Sequence, residues 1–137
     1  MSKLIHHLPK KAGERLEANT DAVLIDVRCE AENKFVGRPI DAIFVPWVDE
    51  PEWEPNADEF IAAVKRFLTE KDNILETEII LICRSGNRST DAGLCLLNHG
   101  FTNVSHVVSG FEGDLDEEDQ RGNLNGWRHD GMPWVQC

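Results

Sequence analysis

The residues most able to do chemistry lie in one short stretch, residues 83–89, which reads Cys-Arg-Ser-Gly-Asn-Arg-Ser. It follows the apolar run Ile79–Ile82 and precedes a helical pattern over residues 90–99. The sequence therefore predicts that Cys83 lies where a buried strand ends, on a short turn that opens a helix. Unpaired amides and partial positive charge at a helix start favour the binding of anions there.

The backbone of this stretch is suited to a tight turn. Gly86 can adopt a conformation that other residues resist, and Asn87 tolerates left-handed geometry. Ser89 can cap the following helix. We therefore expect the amides of residues 84–88 to curl inward and surround an anion.

The charges of the stretch favour a reactive thiol. Arg84 and Arg88 place two positive charges near Cys83, which should then ionise more readily than a free cysteine and act as a nucleophile. A buried structural cysteine is the alternative, but it would not need two arginines and a helix start beside it. The predicted site has Cys83 as its catalytic residue and six substrate-binding residues: Arg84, Ser85, Gly86, Asn87, Arg88 and Ser89.

The stretch resembles the active-site loop of the rhodanese family, the sulfurtransferases. That loop has six residues counted from the cysteine, here Cys83–Arg88. Protein tyrosine phosphatases place five residues between cysteine and arginine, whereas four separate them here. The spacing favours a small pocket for a sulfane sulfur over a phosphate-sized one. The resemblance also implies that Arg88 braces the loop backbone.

The resemblance covers most of the chain. Residues 23–28 match the family's apolar strand ending in Asp-Val-Arg, and residues 30–35 resemble the acidic helix that follows it. Residues 126–134 resemble the closing Gly-Trp and Gly-Leu-Pro segment. Residues 37–46 resemble a segment that frames the pocket, but Arg-Pro-Ile replaces its expected run, so we expect a different pocket rim.

Short apolar runs alternate with helical patterns along the chain. This order predicts a single α/β domain over residues 1–137, with three layers and a mostly parallel central sheet covered by helices on both faces. Ligands bind beyond the carboxyl ends of the strands in such sheets, which is where Cys83 lies. The predicted strands are residues 4–5, 22–27, 42–45, 78–82 and 104–108, and the predicted helices are residues 9–17, 29–35, 56–68 and 90–98.

Helical spacing also predicts which side chains face the core. In the third helix a capping pair, Asn56 and Glu59, precedes an apolar stripe. Cys95 has apolar neighbours at helical spacing and is predicted to be a core residue. The stripe consists of Phe60, Ala63, Val64, Phe67 and Leu68.

Composition and charge limit the partners. The net charge of −11, from 25 acidic and 14 basic residues, argues against nucleic acids and anionic membranes. An anionic substrate must then be attracted by a local positive site. The start of the chain is too polar for a secretory signal, and no apolar run approaches the length of a membrane span. With no zinc-like cysteine spacing, we expect a cytoplasmic protein with reduced thiols and no metal or organic cofactor.

Two other polar clusters have an ordinary interpretation. Residues 110–120 are strongly acidic, but the sixth position from Asp114 is Asp119, where a calcium loop needs glycine. A solvated loop is therefore predicted. His6 and His7 are adjacent and point in different directions, which makes them a poor metal pair and predicts solvated or capping histidines.

Asp26 and Arg28 leave two interpretations open. The carboxylate could orient an arginine near the pocket, or the two could form an ion pair that ties the strand end to the sheet. We favour the structural ion pair, because perturbed charges near a strand end often have only this role.

The predicted reaction is a double displacement. The thiolate of Cys83 takes a sulfane sulfur from thiosulfate or a related small anion, and a thiol, cyanide or a protein acceptor removes it from the persulfide. No general base is expected, because the thiolate is already formed. Three alternatives remain: a sulfur-carrying or regulatory binding module, a phosphatase or arsenate reductase using the same cysteine, and a thiol-oxidation sensor.

Overall fold

A parallel sheet of five short strands forms the centre of the protein in the computed structural model, which describes residues 2–136. The strands are β1 (Ile5–His7), β2 (Val23–Asp26), β3 (Arg38–Pro39), β4 (Ile43–Phe44), β5 (Ile79–Ile82), β6 (Val104–Val107) and β7 (Trp134–Val135). The helices are α1 (Pro9–Ala18), α2 (Ala57–Phe67) and α3 (Asn87–Asn98), with a π-helical turn at Glu32–Val36 and a 3₁₀ turn at Ile74–Glu76. The central sheet has the order β1-β6-β5-β2-β4, and its strand pairs are parallel. The predicted α/β class is confirmed.

Strand β5 lies in the middle of the sheet and is buried along its whole length. Ile79 and Leu81 pack into one core cluster, together with apolar side chains of α2 and α3. Ile80 and Ile82 pack into a second cluster with Ala12 of α1. Because side chains alternate along a strand, a continuous apolar run satisfies both faces at once. Burying each such side chain stabilises the fold by about 1.5–3 kcal/mol.

The predicted helices at residues 9–17 and 56–68 are observed as α1 and α2, whereas residues 29–35 give the π-helical turn at Glu32–Val36 instead of a regular helix. The side chain of Asn56 accepts a hydrogen bond from the backbone N–H of Glu59, at 3.1 Å, and α2 begins at the next residue. Cys95 is buried in the core as expected. The prediction that Phe67 faces the core is wrong, because its side chain is 54% exposed. The helix ends at Phe67, and Leu68 fills the buried position instead.

The C-terminal segment packs back onto the domain. Trp127 is buried, and its indole N–H donates to the carbonyl of Pro133 at 2.8 Å. Strand β7 then pairs antiparallel with β3 in a small second sheet. Among residues 2–136, no helix combines the length and hydropathy needed to cross a membrane.

Candidate active site

The loop after β5 turns sharply at Gly86, which has a φ of +113°. A Cβ there would lie 2.4 Å from the carbonyl oxygen of Val108, so only glycine fits both the conformation and the space. The helix start differs from the prediction. Gly86 occupies the capping position, Asn87 is the first helical residue rather than a left-handed one, and Ser89 lies inside the first turn.

The sulfur of Cys83 lies at the centre of this turn. The backbone N–H of Gly86 points at Sγ from 3.1 Å, and the N–H of Ser89 from 3.4 Å. The thiol is also 3.4 Å from the hydroxyl of Ser89, and the whole residue is only 1% exposed. Two inward amides at a helix start suit an anionic sulfur. They come from Gly86 and Ser89 rather than from the whole of residues 84–88.

A second loop, residues 109–113, holds the first one in place. The carbonyl of Cys83 accepts a hydrogen bond from the N–H of Phe111 at 2.7 Å. The carbonyl of Arg84 accepts from Glu112 and Gly113, at 3.0 and 3.2 Å. Because these two carbonyls are held by hydrogen bonds to the second loop, they point away from the sulfur. The backbone N–H groups of the cysteine loop can then face the sulfur.

Replacing Gly110 with alanine tests this packing. Gly110 has a φ of +68°, and a Cβ there would lie 2.5 Å from the carbonyl carbon and oxygen of Arg84. We expect the variant to lose about 1–3 kcal/mol of unfolding free energy, measured by urea denaturation. Gly131→Ala is the matched control, since Gly131 has a φ of +80° but no atom within 4 Å of the added Cβ. Equal losses in the two variants would contradict the steric argument.

Arg88 is held by an acidic partner rather than by the loop backbone. Its guanidinium donates to both carboxylate oxygens of Glu32, at 2.6 and 3.0 Å, so the predicted bracing of the loop backbone is not observed. Glu32 also accepts from the N–H of Cys29 at 3.2 Å. Burial of the carboxyl would raise the pKa of Glu32, but the hydrogen bonds and charge of Arg88 outweigh burial and lower that pKa to about 2.

This ion pair predicts acid sensitivity. The ordinary pKa of the Glu32 carboxyl is 4.5. Since the folded state lowers it, the stabilisation is fully present above pH 4.5 and is lost as the pH falls towards 2. Its size is about 3 kcal/mol. In urea denaturation at a series of pH values, Glu32→Gln should flatten this part of the stability profile.

Glu30→Gln provides the control for the acid prediction. Glu30 lies two residues earlier and makes an exposed ion pair with Lys34, with side chains 59% and 58% exposed. Exposed pairs contribute little to stability, so this variant should keep the wild-type acid profile. An acid profile of Glu32→Gln that matches wild type would contradict the assigned role of the pair.

The positive charge of Arg84 is available to a ligand. Its side chain is exposed, and its guanidinium makes no hydrogen bond or salt bridge within residues 2–136. The charge of Arg88 is compensated by Glu32, so Arg84 is the better candidate of the two for attracting an anion. Ser85 is partly buried and Asn87 is exposed on the same loop.

Asp26 and Arg28 form the structural ion pair that the sequence favours. Arg28 Nε and Nη2 donate to the two carboxylate oxygens of Asp26 at 2.8 and 2.7 Å, and both residues are 0% exposed. Arg28 also donates to the carbonyl of Gly37 at 2.6 Å. The pair therefore ties the end of β2 to the π-helical turn and β3.

Two histidines extend the site in a way that the sequence analysis missed. His106 Nδ1 lies 2.8 Å from the hydroxyl of Ser89, and His106 Nε2 lies 2.7 Å from Nδ1 of His6. Burial lowers the pKa of His106 to about 4, with further lowering by the nearby His6 and His7. His106 is therefore neutral at pH 7. No local pattern marks these residues, since their meeting depends on the order of the strands.

The other two described cysteines lie in surroundings that disfavour a thiolate. Burial raises the pKa of both Cys29 and Cys95, so their thiolates are disfavoured at neutral pH. In the acidic segment, Asp116 accepts hydrogen bonds from the N–H groups of Glu118 and Gln120, both at 2.9 Å. Between residues 2 and 136, no group of three or more His, Cys, Asp or Glu side chains is placed to hold a metal ion.

Fold and site together define an α/β protein with a cysteine loop at the carboxyl end of a central parallel strand. A family model described as Rhodanese-like domain matches residues 8–117. Two uncharacterized proteins, from Rickettsia conorii and Rickettsia prowazekii, are 31% and 32% identical over 129 residues, covering 90% of this chain and 91% of each relative. The chain therefore belongs to the rhodanese-like family.

Solved structures agree with this assignment. The crystal structure of Rv0390 from M. tuberculosis is 39% identical, with a TM-score of 0.82, covering 99% of this chain and 100% of that one. A polysulfide-sulfur transferase homodimer from Wolinella succinogenes is 21% identical, with a TM-score of 0.62, covering 98% of this chain and 80% of that one. The second likeness is one of fold.

Proposed function

We propose that this chain is a rhodanese-type sulfurtransferase that carries a sulfane sulfur on Cys83. The observation that carries the proposal is the position of the Cys83 sulfur, which faces the N–H groups of Gly86 and Ser89 at a helix start. The solved neighbour from W. succinogenes is a polysulfide-sulfur transferase, which is consistent with this chemistry.

In the first half-reaction, the thiolate of Cys83 attacks the outer sulfur of thiosulfate or a related anion. A bond forms between the two sulfurs, the S–S bond of the donor breaks, and sulfite leaves with the bonding electrons. The persulfide anion then lies where the amides of Gly86 and Ser89 can stabilise it. One well-aimed donor of this kind contributes about 3 kcal/mol to an anionic state.

In the second half-reaction, a thiol or cyanide attacks the outer sulfur of the persulfide. The bond from that sulfur to Sγ breaks, and Cys83 leaves as a thiolate, ready for the next donor. This order of events predicts ping-pong kinetics. A thiol carried by a partner protein is an acceptor of the same chemical class.

Arg84 is proposed to attract the anionic donor. Because its exposed charge has no partner among the described residues, Arg84→Gln should raise the KM for thiosulfate about fivefold, equivalent to ~1 kcal/mol. The KM for an uncharged organic trisulfide should stay near the wild-type value. Arg66→Gln removes one positive charge from the exposed face of α2 and is the control for net charge. Equal changes for both donors would contradict the role of Arg84.

Intact mass spectrometry after incubation with thiosulfate tests the proposed function. We expect a mass gain of one sulfur atom, located on the peptide that contains Cys83 and removed by cyanide or a thiol. A persulfide that forms but is not turned over by either acceptor would instead identify a sulfur carrier or regulatory module. No mass gain together with hydrolysis of a phosphate ester would assign the loop to phosphatase chemistry.

A further inference from the structure

A chain of hydrogen-bonding groups connects the buried sulfur to the protein surface. The thiol of Cys83 is 3.4 Å from Ser89 Oγ, which is 2.8 Å from His106 Nδ1. His106 Nε2 is in turn 2.7 Å from Nδ1 of His6. Cys83, Ser89 and His106 are 1%, 0% and 3% exposed, whereas His6 is exposed to solvent.

Three separate features of the fold bring these four hydrogen-bonding groups together. β1 and β6 pair in parallel with His6 directly opposite His106, and their rings meet edge to face with centroids 4.7 Å apart. β6 lies next to β5, which delivers Cys83. Ser89 is in the first turn of α3, between the sulfur and the imidazole. A line of four polar groups that begins at the candidate nucleophile and ends at water is more than is needed to satisfy one buried histidine.

We propose that Ser89, His106 and His6 form a proton path that carries the Cys83 thiol proton to solvent before attack and returns it afterwards. The inference rests on the proposed function for its purpose, because each sulfur-transfer half-reaction begins or ends with the Cys83 thiolate. It also replaces the expectation that no proton acceptor is needed at this site. Ser89, His106 and His6 act here as positioning and proton-transfer residues.

The proton balance follows from the order of donors. In the thiol state, Cys83 donates to Ser89, and His106 Nε2–H donates to His6 Nδ1. The single hydroxyl proton of Ser89 is donated to His106 Nδ1 at 2.8 Å rather than to the carbonyl of Gly86 at 3.1 Å. Each proton then moves one step along the chain. Cys83 becomes a thiolate, Ser89 remains a hydroxyl, His106 changes tautomer without changing charge, and His6 becomes an imidazolium.

The imidazolium of His6 then loses its Nε2 proton to water, so one proton has left Cys83 and one has entered solvent. Every hydrogen bond of the path is now donated in the direction of Cys83, and the hydroxyl of Ser89 donates to the thiolate. The reverse sequence restores the thiol. No oxidant, reductant or metal is required in either direction.

The surroundings of His106 favour a neutral ring that passes a proton on over a ring that keeps a positive charge. Its neighbours are Ser89 of α3 and His6 and His7 of β1. Burial and the two histidines disfavour a positive charge on the ring and lower its pKa. A buried neutral imidazole can donate from one nitrogen while it accepts at the other, as the path needs.

The test is the pH dependence of Cys83 alkylation by iodoacetamide, read at the Cys83 peptide by mass spectrometry. In His106→Asn, the amide oxygen can still accept from Ser89, but the side chain cannot pass a proton to His6. At pH 7 this variant should react about tenfold more slowly, because without the His106 tautomer change the hydroxyl of Ser89 is not turned to donate to the thiolate. At strongly alkaline pH the rates should converge with wild type, because the thiol is then ionised in both proteins.

Matched variants separate the path from structural damage. Ser89→Ala should behave like His106→Asn, and Ser89→Thr, which keeps the hydroxyl, should restore the wild-type profile. His6→Gln should move the midpoint in the same direction, and an unchanged midpoint would overturn His6 as the outer proton acceptor. His129→Gln is the control, since it removes a histidine that pairs with Asp130 outside the path and should leave the midpoint in place.

The ultraviolet absorbance of the thiolate, measured against Cys83→Ser, gives the same midpoint without requiring access of a reagent. Unchanged midpoints in His106→Asn and Ser89→Ala, or rates reduced equally at every pH in folded protein, would overturn the path. Because alkylation involves no sulfur donor, failure of the mass test with thiosulfate would refute the proposed function while leaving these profiles intact. Persulfide formation together with unshifted pH profiles would support the proposed function and refute the proton path.

Discussion

Replacing Cys83 with alanine is expected to abolish sulfur transfer from thiosulfate to cyanide while the protein stays folded. The reaction passes through a covalent bond to Sγ, so the variant has no atom that can hold the sulfur. Steady-state formation of thiocyanate should fall to the uncatalysed rate. Since alanine keeps the backbone and removes only one small buried atom, the free energy of unfolding should change by about 1 kcal/mol.

Cys95→Ala is the control for this experiment. Cys95 is also buried, and it lies on α3 in the core cluster, so its loss tests the general effect of removing a buried sulfur. We expect it to retain turnover and to form the persulfide. Turnover retained in Cys83→Ala, or lost equally in both variants, would refute the assignment of Cys83 as the nucleophile.

Features that depend on neighbouring residues could be predicted from the sequence. The continuous apolar run of β5 is buried on both faces, because a central parallel strand needs no polar side. Gly86 adopts the left-handed conformation that its place between strand and helix indicates. The side chain of Asn56 caps α2 because its hydrogen-bond partner is only three residues away.

Features that depend on strand order and register could not be predicted. His6 and His106 are 100 residues apart and meet only because β1 pairs with β6 in one particular register. Arg88 and Glu32 are 56 residues apart, and the sequence offers several other acidic partners. Phe67 fits the apolar stripe of its helix, but the helix ends at this residue and its side chain is exposed. In each case the missing information is tertiary.

The buried pair of Asp26 and Arg28 supports the same edge of the sheet, and its loss should have the largest effect on stability. Asp26 accepts four hydrogen bonds: three from the backbone N–H, Nε and Nη2 of Arg28 and one from the side-chain amide of Asn33. Asp26→Asn leaves the guanidinium of Arg28 at 0% exposure without a counter-charge. Leaving a buried charge unpaired costs about 3–5 kcal/mol.

Urea denaturation at neutral pH measures this cost, with Asp21→Asn as the matched control. Asp21 also pairs with a basic residue, Lys71, but its side chain is 87% exposed and the distance is 3.8 Å. The control should lose no more than about 1 kcal/mol, because water screens the exposed pair and solvates either partner alone. If Asp26→Asn loses no more unfolding free energy than the Asp21→Asn control, the Arg28 guanidinium reaches water once its partner is removed. The end of β2 would then be held by the apolar core alone, and the geometry beside the cysteine loop would not depend on this ion pair.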